Sequence, residues 1–280
     1  YMSSSYMGVS GADLAASWDT RHSSGPRIAY NWRTPEAVLS GRGRGDLSIW
    51  GLYTSDGKST IALRNVVGAC RAGLKVMFVL LEMTDDQITA RLLAYMTGID
   101  MGRLERDELS LEDKAKIEEA FKEISEWNLM IYCDPSMNVA DIRAIQMRER
   151  FDLIVVDYLQ RMDFKDFSEV PRIAKQLKNI ALTTKCSIDL FSQLTPKGLD
   201  SRSQNPFSKP DNNSLYGGKA TAFEADNVIF LWAHRQMDQD GGWNNRTGYG
   251  TLIFAKVRQG RPGLEVNMQF DHNRIQWEEA

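Results

Sequence analysis

Two apolar runs, each stopped by an acidic residue, constrain this chain more than any other feature. Val76–Leu81 is followed by Glu82, and Leu153-Ile154-Val155-Val156 is followed by Asp157. Runs without polar alternation suit strands buried on both faces, the condition of a parallel sheet covered by helices on either side. An acidic residue at the end of such a strand then lies on the carboxyl edge of the sheet, where open α/β sheets bind ligands.

The rest of the pattern extends this sheet. A short strand is expected at Asp46–Trp50 and a helix from Thr60 to about Arg71. Thr84 with Gln87 forms a capping box opening a helix that ends near Gly98, and Ser110 caps another helix running to about Trp127. Leu129–Cys133 reads as a strand, Val139–Arg150 as a helix and Ser187–Ser192 as a strand, while Ile173, Leu177, Ile180 and Ala181 recur at helical spacing. After Asn227 the text changes to closely spaced strands at Val228–Trp232, Gly250–Lys256, Leu264–Phe270 and Arg274–Trp277. The expected fold is α/β: a mainly parallel twisted sheet flanked by helices, with antiparallel strands at its C-terminal edge. Residues 1–30 read as an N-terminal linker or arm, the remnant of something preceding, with a short helix-compatible piece at Ala12–Trp18; residues 31–280 form the compact domain. Segments 195–213 and 236–248 are polar loops long enough to suspect function.

Gly57-Lys58-Ser59, placed between a strand and a helix, has the physics of a phosphate-binding loop. Backbone N–H groups from Ser55 to Thr60 point at phosphate oxygens, Lys58 reaches the outer phosphates and Ser59 can hold Mg²⁺. The first glycine usual in such loops falls on Leu52, with Gly51 one place early. The nucleotide implied is ATP. Splitting it requires a held metal and a group that polarises water. Asp157 suits the metal, directly or through water, and Glu82 suits the base. Gln193 ends a third strand, and a neutral amide there can sense the terminal phosphate.

Composition excludes other classes. No apolar run approaches the ~20 residues needed to cross a bilayer, so no membrane association is expected. Cys70, Cys133 and Cys186 are far apart, and His22, His234 and His272 are scattered, so neither a disulfide framework nor a zinc site is expected. A net charge of −3 argues against coating nucleic acid with the whole surface, though not against contact through a few loops.

Three segments carry a resemblance to a known family: Leu80-Leu81-Glu82-Met83, Ile154-Val155-Val156-Asp157-Tyr158-Leu159-Gln160 and Phe191-Ser192-Gln193-Leu194. They resemble successive motifs of the DnaB-type hexameric replicative DNA helicases, in the C-terminal RecA-like motor domain, and the likeness runs over roughly residues 34–277. Phe254-Ala255-Lys256-Val257-Arg258-Gln259-Gly260 resembles the family's lysine and arginine-finger segment. The resemblance implies that Lys256 and Arg258 act on the nucleotide of a neighbouring subunit, with Arg258 as the finger. It also implies a DNA-contacting segment at Ser214–Ala220, here with Gly217, Gly218 and Lys219; Gly217 stands where the family commonly has an arginine. A homohexameric ring on single-stranded DNA, 5′–3′ movement, a primase and a helicase loader as partners, and a cytoplasmic location in a bacterium or phage-infected host are further implications. Two other readings stay open: a RecA/RadA-type recombinase, and an ATP-dependent clamp or regulatory module that does not unwind DNA.

Overall fold

The computed structural model describes residues 10, 12, 27–39, 41–162, 166–195, 207–239, 243, 245–271 and 276–280. Most of the expected arm, including residues 13–18 of its helix-compatible piece, residues 196–206 of the first polar loop, 240–242 and 244 of the second, and Arg274 lie outside the described residues.

Among the described residues, nine strands form one sheet. In chain order these are β1 (Leu47–Leu52), β2 (Val76–Leu80), β3 (Leu129–Cys133), β4 (Leu153–Asp157), β5 (Ser187–Gln193), β6 (Asn227–Gln236), β7 (Asn245–Val257), β8 (Leu264–Asp271) and β9 (Gln276–Glu279). Their spatial order is β3-β2-β4-β5-β1-β6-β7-β8-β9. The first six are parallel, and β7 to β9 add as antiparallel neighbours. The helices are α1 (Arg33–Leu39), α2 (Lys58–Arg71), α3 (Asp85–Thr97), α4 (Met101–Glu105), α5 (Leu111–Ser125), α6 (Val139–Glu149), α7 (Val170–Thr184) and α8 (Gly218–Glu224).

The unbroken apolar runs bury on both faces, and alternation decides which side chain serves which core. Val76, Phe78 and Leu80 of β2, with Val155 of β4 and Trp50 of β1, pack with α2 residues such as Ile61 and Val66. Met77, Val79, Ile154, Val156 and Ile49 point the other way, toward Leu177 and Ala181 of α7 and Ile142 of α6. A buried polar cluster interrupts the first core. Asp189 of β5 is fully buried, and it is held by the equally buried Arg42 and by Asn65 Nδ2 of α2 at 2.9 Å. A charge removed from water in this way is tolerated because it is paired and hydrogen-bonded.

Local chemistry sets the helix ends. Thr84 with Gln87 and Ser110 with Asp113 form reciprocal capping boxes, and Gly98 closes α3 in the left-handed region. Helix α2 starts two residues before Thr60, because Gly57 at φ 91° turns the chain directly from loop into helix. Helices α1, α4 and α8 carry too few periodic apolar residues to be read from the sequence. Ile28 and Tyr30 are buried in the domain, Ile28 through a bridge to Arg42. No described helix is long and apolar enough to cross a membrane.

Candidate functional site: a phosphate-binding cleft at the carboxyl edge

β1 runs into a loop at Tyr53 and re-emerges as α2 at Lys58. The cap residue Gly57 supplies no side-chain hydrogen bond, so the first N–H groups of α2 are left without a capping side chain at its positive end. Only glycine fits here: φ is 91°, and a Cβ would come within 2.9 Å of Trp277 Nε1. Ser55 is also left-handed, at φ 63°, which turns the loop back over its own helix. Gly51 is explained by packing, since a Cβ would meet Phe230 at 2.7 Å and Leu194 at 2.8 Å. Leu52 is buried in the first core, so the missing first glycine is replaced by a core residue.

The expected site residues converge here. Lys58 Nζ pairs with Asp157 Oδ1, and Ser59 Oγ donates to Asp157 Oδ2 at 2.9 Å. The Lys58 ammonium also lies 3.2 Å from the centroid of the Tyr158 ring. Burial pushes the Lys58 ammonium below its ordinary value, against the pull of Asp157 and Glu82. The Leu81 N–H donates to Asp157 O at 3.0 Å, so the tips of β2 and β4 stay together and Glu82 follows beside Asp157. Glu82 accepts from Arg161 at 2.9 Å, which holds its carboxyl below the usual range. Gln193 Nε2 donates to Thr54 Oγ1 in the loop. Its backbone is fixed from both sides by Gln160, with Gln160 Nε2 to Gln193 O at 2.8 Å and Gln193 N–H to Gln160 Oε1 at 3.1 Å.

Lys58, Ser59, Glu82, Tyr158 and Gln193 line a cleft of about 630 Å³ that runs from Leu52 through Thr60 to Trp277, with Asp157 bonded behind Lys58 and Ser59. Its size suits a nucleotide. Uncapped helix N–H groups and Lys58 fit phosphate, while the adjacent Ser59 hydroxyl and Asp157 carboxylate are hard oxygen donors of the kind Mg²⁺ takes. Among the described residues there is no group of three or more His, Cys, Asp or Glu that could hold a metal ion.

Lys256 and Arg258 are not brought to this cleft. Val257 pairs with Asn227 at the start of β6, whose neighbour in β1 is Ser48, so both cations sit at the amino edge of the sheet. Lys256 Nζ donates to the carbonyls of Ala222, Phe223 and Ala225 at 3.0, 3.1 and 2.6 Å, which caps the end of α8. Arg258 pairs with Asp226 at 2.9 Å and keeps 55% of its side chain exposed.

Gly217 and Gly218 open α8, both left-handed, and Lys219 is exposed beside them. A Cβ at Gly217 would meet Thr221 Oγ1 at 2.3 Å. An arginine therefore has no room there, and the departure from the family pattern has a steric reason. The segment is tied to β5: Leu194, next after Gln193, bridges to Leu215.

Several residues in or beside the cleft were not singled out as site residues from the sequence. Tyr158 and Arg161 follow Asp157 closely enough that proximity to a strand tip was an available signal. Arg91, on α3, lines both the cleft and an adjoining pocket of about 260 Å³. Asp56, buried in the loop, pairs with Arg235 at 2.6 Å and Arg246 at 3.0 Å, and Trp277 Nε1 donates to its carbonyl at 3.0 Å. Nothing local in the sequence connects those last residues.

Comparison with known proteins bears on the family and the fold. The chain is similar to the replicative DNA helicase DnaB of Geobacillus stearothermophilus, 29% identical over 263 residues, covering 86% of this chain and 57% of that protein. It is also similar to a probable replicative DNA helicase of Trieres chinensis, 26% identical over 252 residues, covering 85% of this chain and 54% of that one. The chain thus spans about half the length of the curated relatives it matches. A solved ATPase domain of another protein superposes with a TM-score of 0.81 at 20% identity, over 98% of this chain and 99% of that one, which speaks for the fold. A DnaB-like replicative helicase solved in a study of its interactions with primase gives the same score and identity, over 98% of this chain and 68% of that one. The model of the DnaB-like helicase C-terminal domain matches residues 28–279, and the chain belongs to that family.

Proposed function

We propose that this chain is the motor of a replicative DNA helicase, which hydrolyses ATP between the subunits of a homohexameric ring and moves along single-stranded DNA to unwind duplex. The observation that carries the reading is the convergence of Lys58, Ser59, Asp157 and Glu82 around an uncapped helix N-terminus.

Each residue then has a physical task. The N–H groups of Ser55 to Thr60 and the Lys58 ammonium hold the triphosphate. Ser59 and Asp157 would hold Mg²⁺, which when bound neutralises charge on the transferring phosphoryl group. Lys58 leaves Asp157 for phosphate oxygen as nucleotide enters, a change between two anionic partners. Glu82, kept ionised by Arg161, orients the attacking water and accepts its proton. Gln193 sits where the terminal phosphate arrives, two short steps from Gly217, Gly218 and Lys219, which would meet the DNA backbone.

Arg258 would serve the neighbouring subunit. Its side chain is 55% exposed, and when it leaves for a phosphate Asp226 keeps Lys178 and the Leu47 N–H, so no buried charge is left unpaired. Lys256 would stand beside it. We further propose a primase and a helicase loader as partners and the cytoplasm of a bacterium or a phage-infected host as the location; relatives described as replicative helicases support this.

The test couples three measurements: native mass, ATP hydrolysis with and without single-stranded DNA, and unwinding of a forked duplex. The reading expects a hexamer, stimulation by DNA and strand separation, the last two lost in Lys58→Ala. DNA-stimulated hydrolysis without strand separation would favour a clamp or regulatory ATPase instead.

A further inference from the structure

Arg235 of β6 and Arg246 of β7 are directly opposed cross-strand partners, next to a register shift between Ala233 and Arg235. Like charges in that position repel. The repulsion is relieved by one carboxylate, Asp56, which comes from the phosphate-binding loop. Its Oδ1 accepts from Arg235 Nη2 at 2.6 Å and from Arg246 Nε at 3.0 Å. Its Oδ2 is buried and has no partner. Arg235 is further fixed over the Phe207 ring, 3.8 Å from its centroid.

A carboxylate in a loop that binds phosphate is at first sight a liability, because it adds negative charge where anions must enter. Two facts reverse the sign. The trio carries two guanidiniums against one carboxylate, so it is cationic as a unit. And the two arginines differ: Arg235 is 5% exposed, whereas Arg246 is 42% exposed and lines the nucleotide cleft. Arg246 also donates to the Thr54 carbonyl at 3.4 Å, which keeps its guanidinium against the loop. A long exposed arginine loses rotamer freedom when it binds an anion, and anchoring one edge of the fork removes part of that cost beforehand.

We propose that Asp56 is a positioning residue for the nucleotide: it gathers the opposed arginines and holds Arg246 at the cleft wall, where the guanidinium engages the anionic nucleotide. This rests on the reading of the cleft as an ATP site. It makes β6 and the first antiparallel strand, β7, part of the binding apparatus. It also predicts that deleting a negative charge beside the phosphates weakens their binding.

The sign of that effect is the test. ADP and ATP, each with Mg²⁺, are titrated against wild type, Asp56→Asn, Asp56→Ala, Arg246→Ala, Arg246→Lys and the Asp56→Ala/Arg246→Ala pair. Asp56→Ala and Arg246→Ala are each expected to weaken ADP binding about tenfold, and the pair no more than the weaker single variant. Arg246→Lys should fall between, since it keeps charge without the fork. In hydrolysis, Asp56→Ala should raise KM by more than it lowers kcat. Asp56→Asn keeps the shape of the side chain and guards against misfolding; Arg246→Ala, at a partly exposed position, does the same from the other partner. Unchanged or tighter binding in Asp56→Asn, or losses that multiply in the pair, would overturn the proposal. A wild-type protein that binds neither nucleotide would overturn the ATP reading itself, a separate result.

Discussion

At the carboxyl edge of the parallel strands the polar groups gather round one cleft, whereas at the amino edge Lys256 and Arg258 are tied to separate supports. Lys58, Ser59 and Asp157 form a connected set, Glu82 and Arg161 adjoin it, and Gln193 reaches the same loop. Lys256 instead spends its donors on the last carbonyls of α8, and Arg258 rests on Asp226. One edge is built to receive a ligand. The other is built to hold cations at a surface, with the more useful guanidinium facing outward. A single copy cannot bring Arg258 to its own Lys58, since they lie at opposite ends of the strands. Any joint action must come from two copies.

The sharpest way to break this contrast is Arg258→Ala. An arginine finger is worth about 10³-fold or more in turnover, so DNA-stimulated hydrolysis should collapse while nucleotide titration stays near wild type. Mixing Arg258→Ala with Lys58→Ala chains should restore part of the activity, because each lesion lies on a different side of a shared site. If no mixture recovers any turnover, the two edges do not meet across an interface.

Glu82→Gln probes the receiving edge alone. Removal of a positioned base lowers turnover about 10²- to 10⁴-fold, with ATP affinity little changed in direct titration. Normal turnover in this variant would take Glu82 out of the reaction.

Asp226→Ala probes the supporting edge as a structural element. Asp226 accepts from Lys178 Nζ at 2.6 Å and from the Leu47 N–H at 2.8 Å while fully buried. Breaking such a pair leaves a buried ammonium with fewer partners, at a cost of about 3–5 kcal/mol. Denaturant unfolding should show this loss, and a variant as stable as wild type would mean that the amino edge is not braced as described.

The smallest effect concerns acidity. Arg161 holds the Glu82 carboxyl below its ordinary range. In Arg161→Ala the Glu82 pKa rises, so its ionised, base-competent form is lost at higher pH than in wild type. The acidic limb of the kcat/KM profile should move upward, and Glu82→Gln should erase that limb. A limb that stays put in Arg161→Ala would show that another group governs it.

Much of this was legible beforehand, for identifiable reasons. The strand tips at Glu82 and Asp157 announced themselves because a buried parallel strand must be apolar throughout, so the first charge marks its end. The capping boxes at Thr84 and Ser110 could be read because caps are local, spanning three residues. Helices α1, α4 and α8 could not, because they are too short for periodicity to register. Gly217 looked like a weakened DNA contact, yet Thr221 behind it leaves no space for a larger side chain.

By itself the sequence determined the layered α/β architecture, the glycine-bearing loop between β1 and α2 and the acidic residues at the strand tips, since each follows from patterns a few residues long. Tertiary structure alone decided which cations attend which carboxylates. Arg235 and Arg246 reach Asp56 across about 180–190 residues of chain, and Lys178 reaches Asp226 across 48. Pairing over such distances is set by strand order and register, and these emerge only when the whole apolar surface has chosen one way to bury itself.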